Sequence, residues 1–202
     1  MAGLVIVIAG VSVWRTLRPI SDKFDPTHSL ASGQLLAQET AKAIQGQGWV
    51  VPVISPDHQQ TGGAAHAEWQ AFQAVLRKHP GIQLTAPEIL TKLEDLPGCS
   101  GATFTDILAR HSQAGAIVFL TPLQSWLQMK ESPPAPPTAR IIVQSLPVYS
   151  AKNAFAGYFE QKFISVLLYR GLAGGSADYQ IFTPDNFHDL PGNPALPEAS
   201  DR

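Results

Sequence analysis

The stretch that decides the fold runs from Gly115 to Thr121 and reads Gly-Ala-Ile-Val-Phe-Leu-Thr. This apolar run is too short for a core helix and is rich in β-branched and aromatic residues, as is typical of a strand buried on both faces. Four similar short runs occur along the chain, at 49–54, 82–86, 140–146 and 163–169. Segments with helical character separate most of them. The alternation predicts an α/β fold: a Rossmann-like, open, mainly parallel sheet of about five or six strands with helices on both faces.

The intervening segments predict amphipathic helices. Ser32 is well placed as the N-cap of a first helix that ends at Ile44, before two glycines. A second helix is predicted over 64–79, where Trp69, Phe72, Val75 and Leu76 form one apolar stripe. Two further helices are predicted at 104–111 and 150–160, and a last short strand at 179–182.

Composition limits the class of protein. The chain has 202 residues, of which 45% are apolar, enough for one domain with a sizeable core. The net charge of −2 and the charged fraction of 15% offer no basic surface for nucleic acid. The single cysteine, Cys99, has no partner for a disulfide or a thiolate metal site, so we interpret it as a structural or incidental thiol.

Prolines mark the segments outside the core. They gather at 132–137 and in the tail 187–202, which predicts extended arms around a domain that spans 32–186. Pro52 lies inside the predicted strand 49–54 and indicates either an edge strand or a local interruption of the ladder.

The amino terminus predicts a single-pass membrane anchor over 1–18, followed by a linker over 19–31. Residues 1–14 have no charged side chain and are followed by Arg15 and Arg18. Because the basic residues follow the apolar run, the charge rule favours a domain on the cytoplasmic side. Two alternatives stay open: the run is one more buried strand, or it is a cleaved signal peptide, which fits less well.

The loop 56–63 follows the carboxyl end of the first confident strand of this domain, where open α/β sheets usually bind ligands. Its glycines match neither a dinucleotide-binding nor a Walker pattern. Asp57 and His58 are the best candidates for an acid–base pair, although a solvated turn is the favoured interpretation of both. A small polar ligand would bind near these two residues, Thr121 and Ser145. We assign no catalytic, cofactor-binding or metal residue.

The order of elements also resembles a known family. The resemblance lies in Lys78–Gly81 before a strand, in Phe104–Leu108 followed by Ala114–Val118, and in the ending Tyr179–Asn186. This part of the chain resembles one lobe of a type I periplasmic sugar-binding protein, and also membrane-anchored variants of that lobe. The resemblance implies a ligand held between two lobes, of which this chain has residues for about one. No ligand-contact residue is transferred, and the resemblance favours the periplasmic side.

Three functions follow from these observations. The first is a non-enzymatic, membrane-anchored accessory or scaffold subunit that docks onto a larger membrane protein complex. The second is a soluble or tethered module that binds a small sugar-like ligand. The third is a hydrolase or transferase, for which the sequence offers no HExxH, GxSxG or paired-carboxylate pattern.

Overall fold

The structure is a computed structural model, and it describes residues 25–91, 101–121, 137–145, 151–170 and 179–190. Helices and strands alternate through these ranges. In chain order they are α1 (Thr27–Ala43), β1 (Gly48–Ile54), a 3₁₀ turn (Pro56–His58), α2 (Ala64–Leu76), β2 (Ile82–Leu84), β3 (Glu88–Ile89), α3 (Gly101–Arg110), β4 (Ala116–Phe119), β5 (Arg140–Ser145), α4 (Ala151–Glu160), β6 (Val166–Arg170), β7 (Tyr179–Phe182) and a second 3₁₀ turn (Phe187–Asp189).

The strands form one mainly parallel sheet in the order β2-β1-β4-β5-β6-β7, and β3 pairs with β1 beyond the end of β2. Only β7, among the described strands, is antiparallel to its neighbour. The predicted α/β class and parallel sheet are therefore confirmed. The described sheet has seven strands rather than five or six, because the two-residue β3 gives no signal in the sequence.

The connections reverse direction between β1 and β4. From β1 the chain passes to β2 on one side, whereas β4, β5 and β6 add in turn on the other side. In an open α/β sheet such a reversal leaves a crevice at the carboxyl ends of the two strands that flank it. A binding site is therefore expected where the chain leaves β1 and β4.

Pro52 lies in the interior of the sheet, in register with Val118 of β4. The backbone groups of successive residues in β1 point alternately to its two sides. Those of Val50 and Ile54 point away from β4, and their oxygens accept hydrogen bonds from the N–H groups of Thr85 and Leu90. The missing N–H of Pro52 therefore falls on that side, in the gap between β2 and β3. The prediction of a local interruption is confirmed, and that of an edge strand is wrong.

Each face of the sheet carries its own apolar core. The face under α1 and α2 buries Leu36, Ala37, Ala41, Val50, Ile54, Trp69, Phe72, Leu76, Ala116, Val118, Leu120, Ile142, Val166 and Leu168. The other face is covered by α3 and α4 through Phe104, Ile107, Leu108, Phe155 and Phe159. Each fully buried Leu or Phe contributes about 1.5–3 kcal/mol, so these two layers account for most of the favourable free energy of folding.

The first helix begins earlier than predicted. It starts at Thr27, so residues 27–31 are helical and Ser32 lies in the second turn instead of at the N-cap. Asp25 accepts hydrogen bonds from the backbone N–H and the hydroxyl of Thr27, at 2.9 and 2.6 Å. These bonds lower the pKa of the Asp25 carboxyl and stabilise the helix start, which the prediction attributed to Ser32.

The start of the predicted tail is not extended. Phe187 and Leu190 are buried, and the ring of Phe187 stacks on Phe159 with a centroid distance of 5.3 Å. Residues 191–202 and the proline-rich segment up to 136 lie outside the described residues, as does Cys99. Within the described ranges no helix is long and apolar enough to cross a membrane. The anchor predicted over 1–18 lies outside them and stays a prediction.

Helices α1 and α2 make their closest approach at Gly33. A Cβ atom there would lie 2.1 Å from the backbone oxygen of Glu68, closer than any real contact. Only glycine allows this helix crossing.

We expect Gly33→Ala to lower the free energy of unfolding by about 1–3 kcal/mol, since the overlap with α2 backbone forces the helices apart. Gly157→Ala is the matched control: Gly157 is exposed within α4, with open space around a Cβ, so alanine should raise stability by about 0.5–1 kcal/mol. Urea unfolding of both variants measures the difference. Equal effects would contradict the close approach.

Glu88 connects the short β3 to the end of α3. Its Oε1 accepts hydrogen bonds from Arg110 Nη1 at 2.7 Å and from His111 Nε2 at 2.6 Å. Partial burial by itself would raise the pKa of Glu88, but these two bonds outweigh it and hold the pKa below its ordinary value.

A carboxyl whose pKa is lowered by folding stabilises the protein at pH values above its unfolded pKa, and this contribution is lost as pH falls through the folded pKa. We therefore expect Glu88→Gln to cost at most about 1 kcal/mol at pH 7, a cost that shrinks as the solution is made acidic below pH 4.5, the ordinary pKa. Urea unfolding across this pH range measures it. The exposed Glu160, at the end of α4, is the control, and Glu160→Gln should not destabilise the protein.

Candidate functional site

A cluster of polar side chains interrupts the core at the carboxyl edge of the sheet, beneath α1 and α2. It contains Ser32 from α1, Glu68 from α2, Gln144 from β5 and His58 from the turn after β1. Ser32, His58 and Glu68 are all buried. Buried polar groups are costly unless they are paired, so the bonds within this cluster decide what it can do.

The Glu68 carboxyl is the centre of the cluster. Its Oε1 accepts a hydrogen bond from the Ser32 hydroxyl, and its Oε2 accepts one from Gln144 Nε2 at 3.3 Å. Gln144 Nε2 also donates to the backbone oxygen of Leu120, just after β4. The carboxyl on α2 is thus connected directly to α1 and β5, and through Gln144 to the end of β4, with one bond to each of its oxygens.

His58 lies beside this carboxyl and has one ring nitrogen satisfied. Its Nδ1 accepts a hydrogen bond from the backbone N–H of Ser55 at 3.2 Å, with Ser55 Oγ 2.9 Å away. A neutral ring whose Nδ1 accepts carries its proton on Nε2. That nitrogen is 3.8 Å from Glu68 Oε2, too far for a hydrogen bond, and it has no hydrogen-bond partner among the described residues.

Thr121 has the second such group. It follows β4 and is 5% exposed, and its hydroxyl also lacks a hydrogen-bond partner within the described part of the chain. His58 follows β1 and is 4% exposed. The two unsatisfied groups therefore follow the two strands that flank the reversal of the sheet. Ser145, at the end of β5, is buried at the same edge.

Tyr179 borders the cluster on the β7 side. Its hydroxyl donates to the backbone oxygen of His28 at 2.9 Å and so connects β7 to the first turn of α1. Burial raises the pKa of Tyr179 above its usual value; the Glu68 carboxyl adds to the rise, whereas a hydrogen bond with Ser32 opposes it. The tyrosine is therefore held neutral, and its proton is used in the bond to His28.

The predicted site residues have different outcomes. Asp57 is exposed, with Gln60 Nε2 as a distant partner at 3.5 Å, so its interpretation as part of a solvated turn fits the structure. The same interpretation of His58 is wrong, because its ring is buried against Glu68 rather than solvated or paired with Asp57. Thr121 and Ser145 lie at the carboxyl edge, as predicted.

Three members of the cluster are not among the predicted site residues: Ser32, Glu68 and Gln144. Each lies on the apolar face of its own element, since Leu36 and Phe72 follow Ser32 and Glu68 by one helical turn. A lone polar residue on an apolar stripe was the available signal. The sequence interpretation attributed these apolar stripes to core packing alone.

The cluster does not have the arrangement of a serine triad. In a serine triad the imidazole is bonded to the hydroxyl and the carboxyl orients the imidazole. Here the carboxyl of Glu68 lies between Ser32 and His58, so the Ser32 hydroxyl contacts the carboxyl and not the imidazole. The described residues contain no group of three or more His, Cys, Asp or Glu side chains that could hold a metal ion.

Comparison with known proteins gives a fold but no sequence family. No family model matches the chain, and no curated protein matches it. Solved structures do match. A solute-binding protein of an ABC transporter from Burkholderia graminis, in complex with D-arabinose, has a TM-score of 0.56 and 14% identity over 80% of this chain and 61% of its own.

Two further solved structures are similar to this chain. A glucose-galactose binding protein from Geobacillus stearothermophilus has a TM-score of 0.53 and 14% identity, covering 81% of this chain and 61% of its own. A solute-binding protein from Agrobacterium vitis, bound with α-D-tagatopyranose, has a TM-score of 0.53 and 16% identity, covering 80% and 58%. The chain therefore has the fold of periplasmic sugar-binding proteins, as the resemblance predicted, and spans about six-tenths of the length of these proteins.

Proposed function

We propose that this chain is a non-enzymatic binding module for a small, hydroxyl-rich, sugar-like ligand at the carboxyl edge of the sheet. One observation carries the proposal: a buried N–H donor, His58 Nε2, lies 3.8 Å from a buried carboxyl oxygen, Glu68 Oε2, without bonding to it. Leaving a buried donor unpaired costs about 1–3 kcal/mol, so the arrangement favours a third group that satisfies it.

A hydroxyl group can satisfy both of these atoms. It can accept from His58 Nε2–H through its oxygen and donate its own proton to Glu68 Oε2, whereas a carbonyl could only accept and an ammonium could only donate. The unsatisfied hydroxyl of Thr121 offers a second contact at the neighbouring strand end. Two such groups at adjacent strand ends suit a ligand with more than one hydroxyl.

The cluster is also built to keep its geometry. Ser32 and Gln144 hold the two oxygens of Glu68, and the turn that carries His58 is fixed to α2 because His66 Nδ1 donates to the backbone oxygen of His58 at 3.0 Å. A preorganised site spends little of its binding free energy on ordering side chains. The sugar ligands of the structurally similar proteins support the same ligand class.

The anchored accessory-subunit hypothesis depends on residues 1–18, outside the described part of the chain. Among described residues only Leu30 and Trp49 are exposed large apolar side chains. We therefore rank this hypothesis second. The similarity to solute-binding proteins of ABC transporters favours the extracytoplasmic side over the cytoplasmic side predicted from Arg15 and Arg18.

The proposal predicts saturable binding of monosaccharides. Titration of the full chain with D-arabinose, D-tagatose, glucose and galactose should give heat and a rise in melting temperature for at least one of them, corresponding to about 2.7 kcal/mol at a hundredfold excess over Kd. Absence of stabilisation by all four, even at high concentration, would contradict the ligand class.

Thr121→Val separates binding from folding. Valine removes the unsatisfied buried hydroxyl, so the free protein should become more stable while sugar affinity falls about three- to tenfold. Thr138→Val is the matched control at the opposite edge, where the hydroxyl donates to Ser112 O at 2.6 Å; it should leave affinity unchanged. If both variants keep the affinity of the original chain, the ligand does not contact Thr121.

The proposal also predicts the tautomer of His58. Two-dimensional ¹H–¹⁵N spectra of the imidazoles should show His58 protonated at Nε2 and unprotonated at Nδ1, because Nδ1 accepts from Ser55. His66 should show the opposite, since its Nδ1 donates to a backbone oxygen. An Nδ1–H tautomer at His58 would contradict the role of Nε2 as the donor to the ligand.

A further inference from the structure

A cavity of about 340 Å³ lies at the other end of the sheet, at the amino edge. The end of α1 forms one side of the cavity, the start of β5 and the segment before β6 form the floor, and the turn after β7 closes it. Ser32 and Lys42 are ten residues apart on α1, so the two sites are separated by about 15 Å along the helix. The volume is in the usual range for small-molecule sites.

The walls combine an apolar floor with charged groups. Ala43, Ile164, Val166 and Pro184 supply the apolar surface. The charged residues of the lining are Glu39 and Lys42 from α1, Arg140 from β5, Lys162 from the turn after α4, and Asp185 from the turn after β7.

The lining of this cavity has one more positive than negative side chain. Lys42 Nζ is paired with Glu39 Oε1, so these two cancel. Neither Arg140, Lys162 nor Asp185 has an ion pair among the described residues. Two cations therefore face one carboxyl across an apolar floor, and the cavity is complementary to a molecule with a single negative charge.

The backbone at Lys162 allows a clean test of this side chain. Lys162 follows α4 with φ +55°, the left-handed region that favours glycine. The helix ends in a Schellman motif, in which Phe163 N–H donates to Tyr158 O at 2.7 Å and Lys162 N–H to Phe159 O at 2.8 Å. Glycine is the usual residue there, so a lysine at this position carries a local conformational cost.

We propose that this amino-edge cavity binds a small organic monocarboxylate with an apolar body. The guanidinium of Arg140 matches the two oxygens of a carboxylate, Lys162 supplies the second positive charge, and the apolar floor receives the hydrocarbon part. The site is distinct from the sugar-like site at the carboxyl edge, and it does not depend on the proposed function.

Benzoate and benzamide are matched probes, because they have the same ring and differ in charge. Titration of the full chain, followed by calorimetry and NMR, should show saturable one-to-one binding of benzoate and no binding of benzamide. D-arabinose should not compete. Arg140→Gln should weaken benzoate binding at least tenfold, and Asp185→Asn should strengthen it, since it removes the opposing negative charge.

Lys162→Gly tests the lysine without damaging the fold. The exact counterpart is Gln45, which follows α1 in the same motif with φ 54° and is not among the cavity-lining residues. Both Lys162→Gly and Gln45→Gly replace a left-handed residue by glycine, so neither should lower the melting temperature. Only Lys162→Gly should weaken benzoate binding.

Four results would overturn the proposal: no binding of benzoate, equal binding of benzoate and benzamide, full affinity in both Arg140→Gln and Lys162→Gly, or competition by the sugar. A chain that binds benzoate but no sugar would support this site and refute the carboxyl-edge function. Sugar binding without benzoate binding would have the opposite meaning, so the two failures are distinguishable.

Discussion

The contact between Gly33 and the backbone of Glu68 is the constraint on which the carboxyl-edge site depends. Because no side chain separates the two helices there, Ser32 comes within hydrogen-bond reach of the Glu68 carboxyl. That bond and the one from Gln144 satisfy a buried carboxyl that would otherwise carry a large desolvation cost. With both oxygens held, the position of the carboxyl relative to His58 is set by the packing of the helices rather than by a flexible side chain.

The two edges of the sheet have different chemistry, and the direction of the strands explains the difference. At the carboxyl edge most polar groups of the cluster are buried, and only Glu68 among them is acidic. The amino edge is reached by helix ends and strand starts, whose long charged side chains keep their heads near solvent while their stems cover apolar surface. One sheet can thus present a site that recognises hydroxyls and another that recognises charge.

The sequence predicted most of the fold because its signals are local. Apolar runs such as Gly115–Thr121 and stripes such as Trp69, Phe72 and Leu76 report burial directly. The start of α1 was misplaced because Ser32 fits the N-cap preference, whereas its hydroxyl is used by a residue thirty-six positions away. The site depends on such distant pairs, and their partners are set by helix crossing and strand order. No spacing in the sequence encodes either, so His58 was interpreted as a solvated turn.

The gap beside Pro52 affects how the sheet meets other chains. An added strand needs a continuous row of free backbone groups, and this flank ends in two strands of three and two residues with a break between them. Pro52 cannot donate where they part, so the two pieces are not joined into one long edge. A foreign strand would find at most three residues to pair with before the row stops. The proline in the interior therefore keeps the outer edge too short to template aggregation.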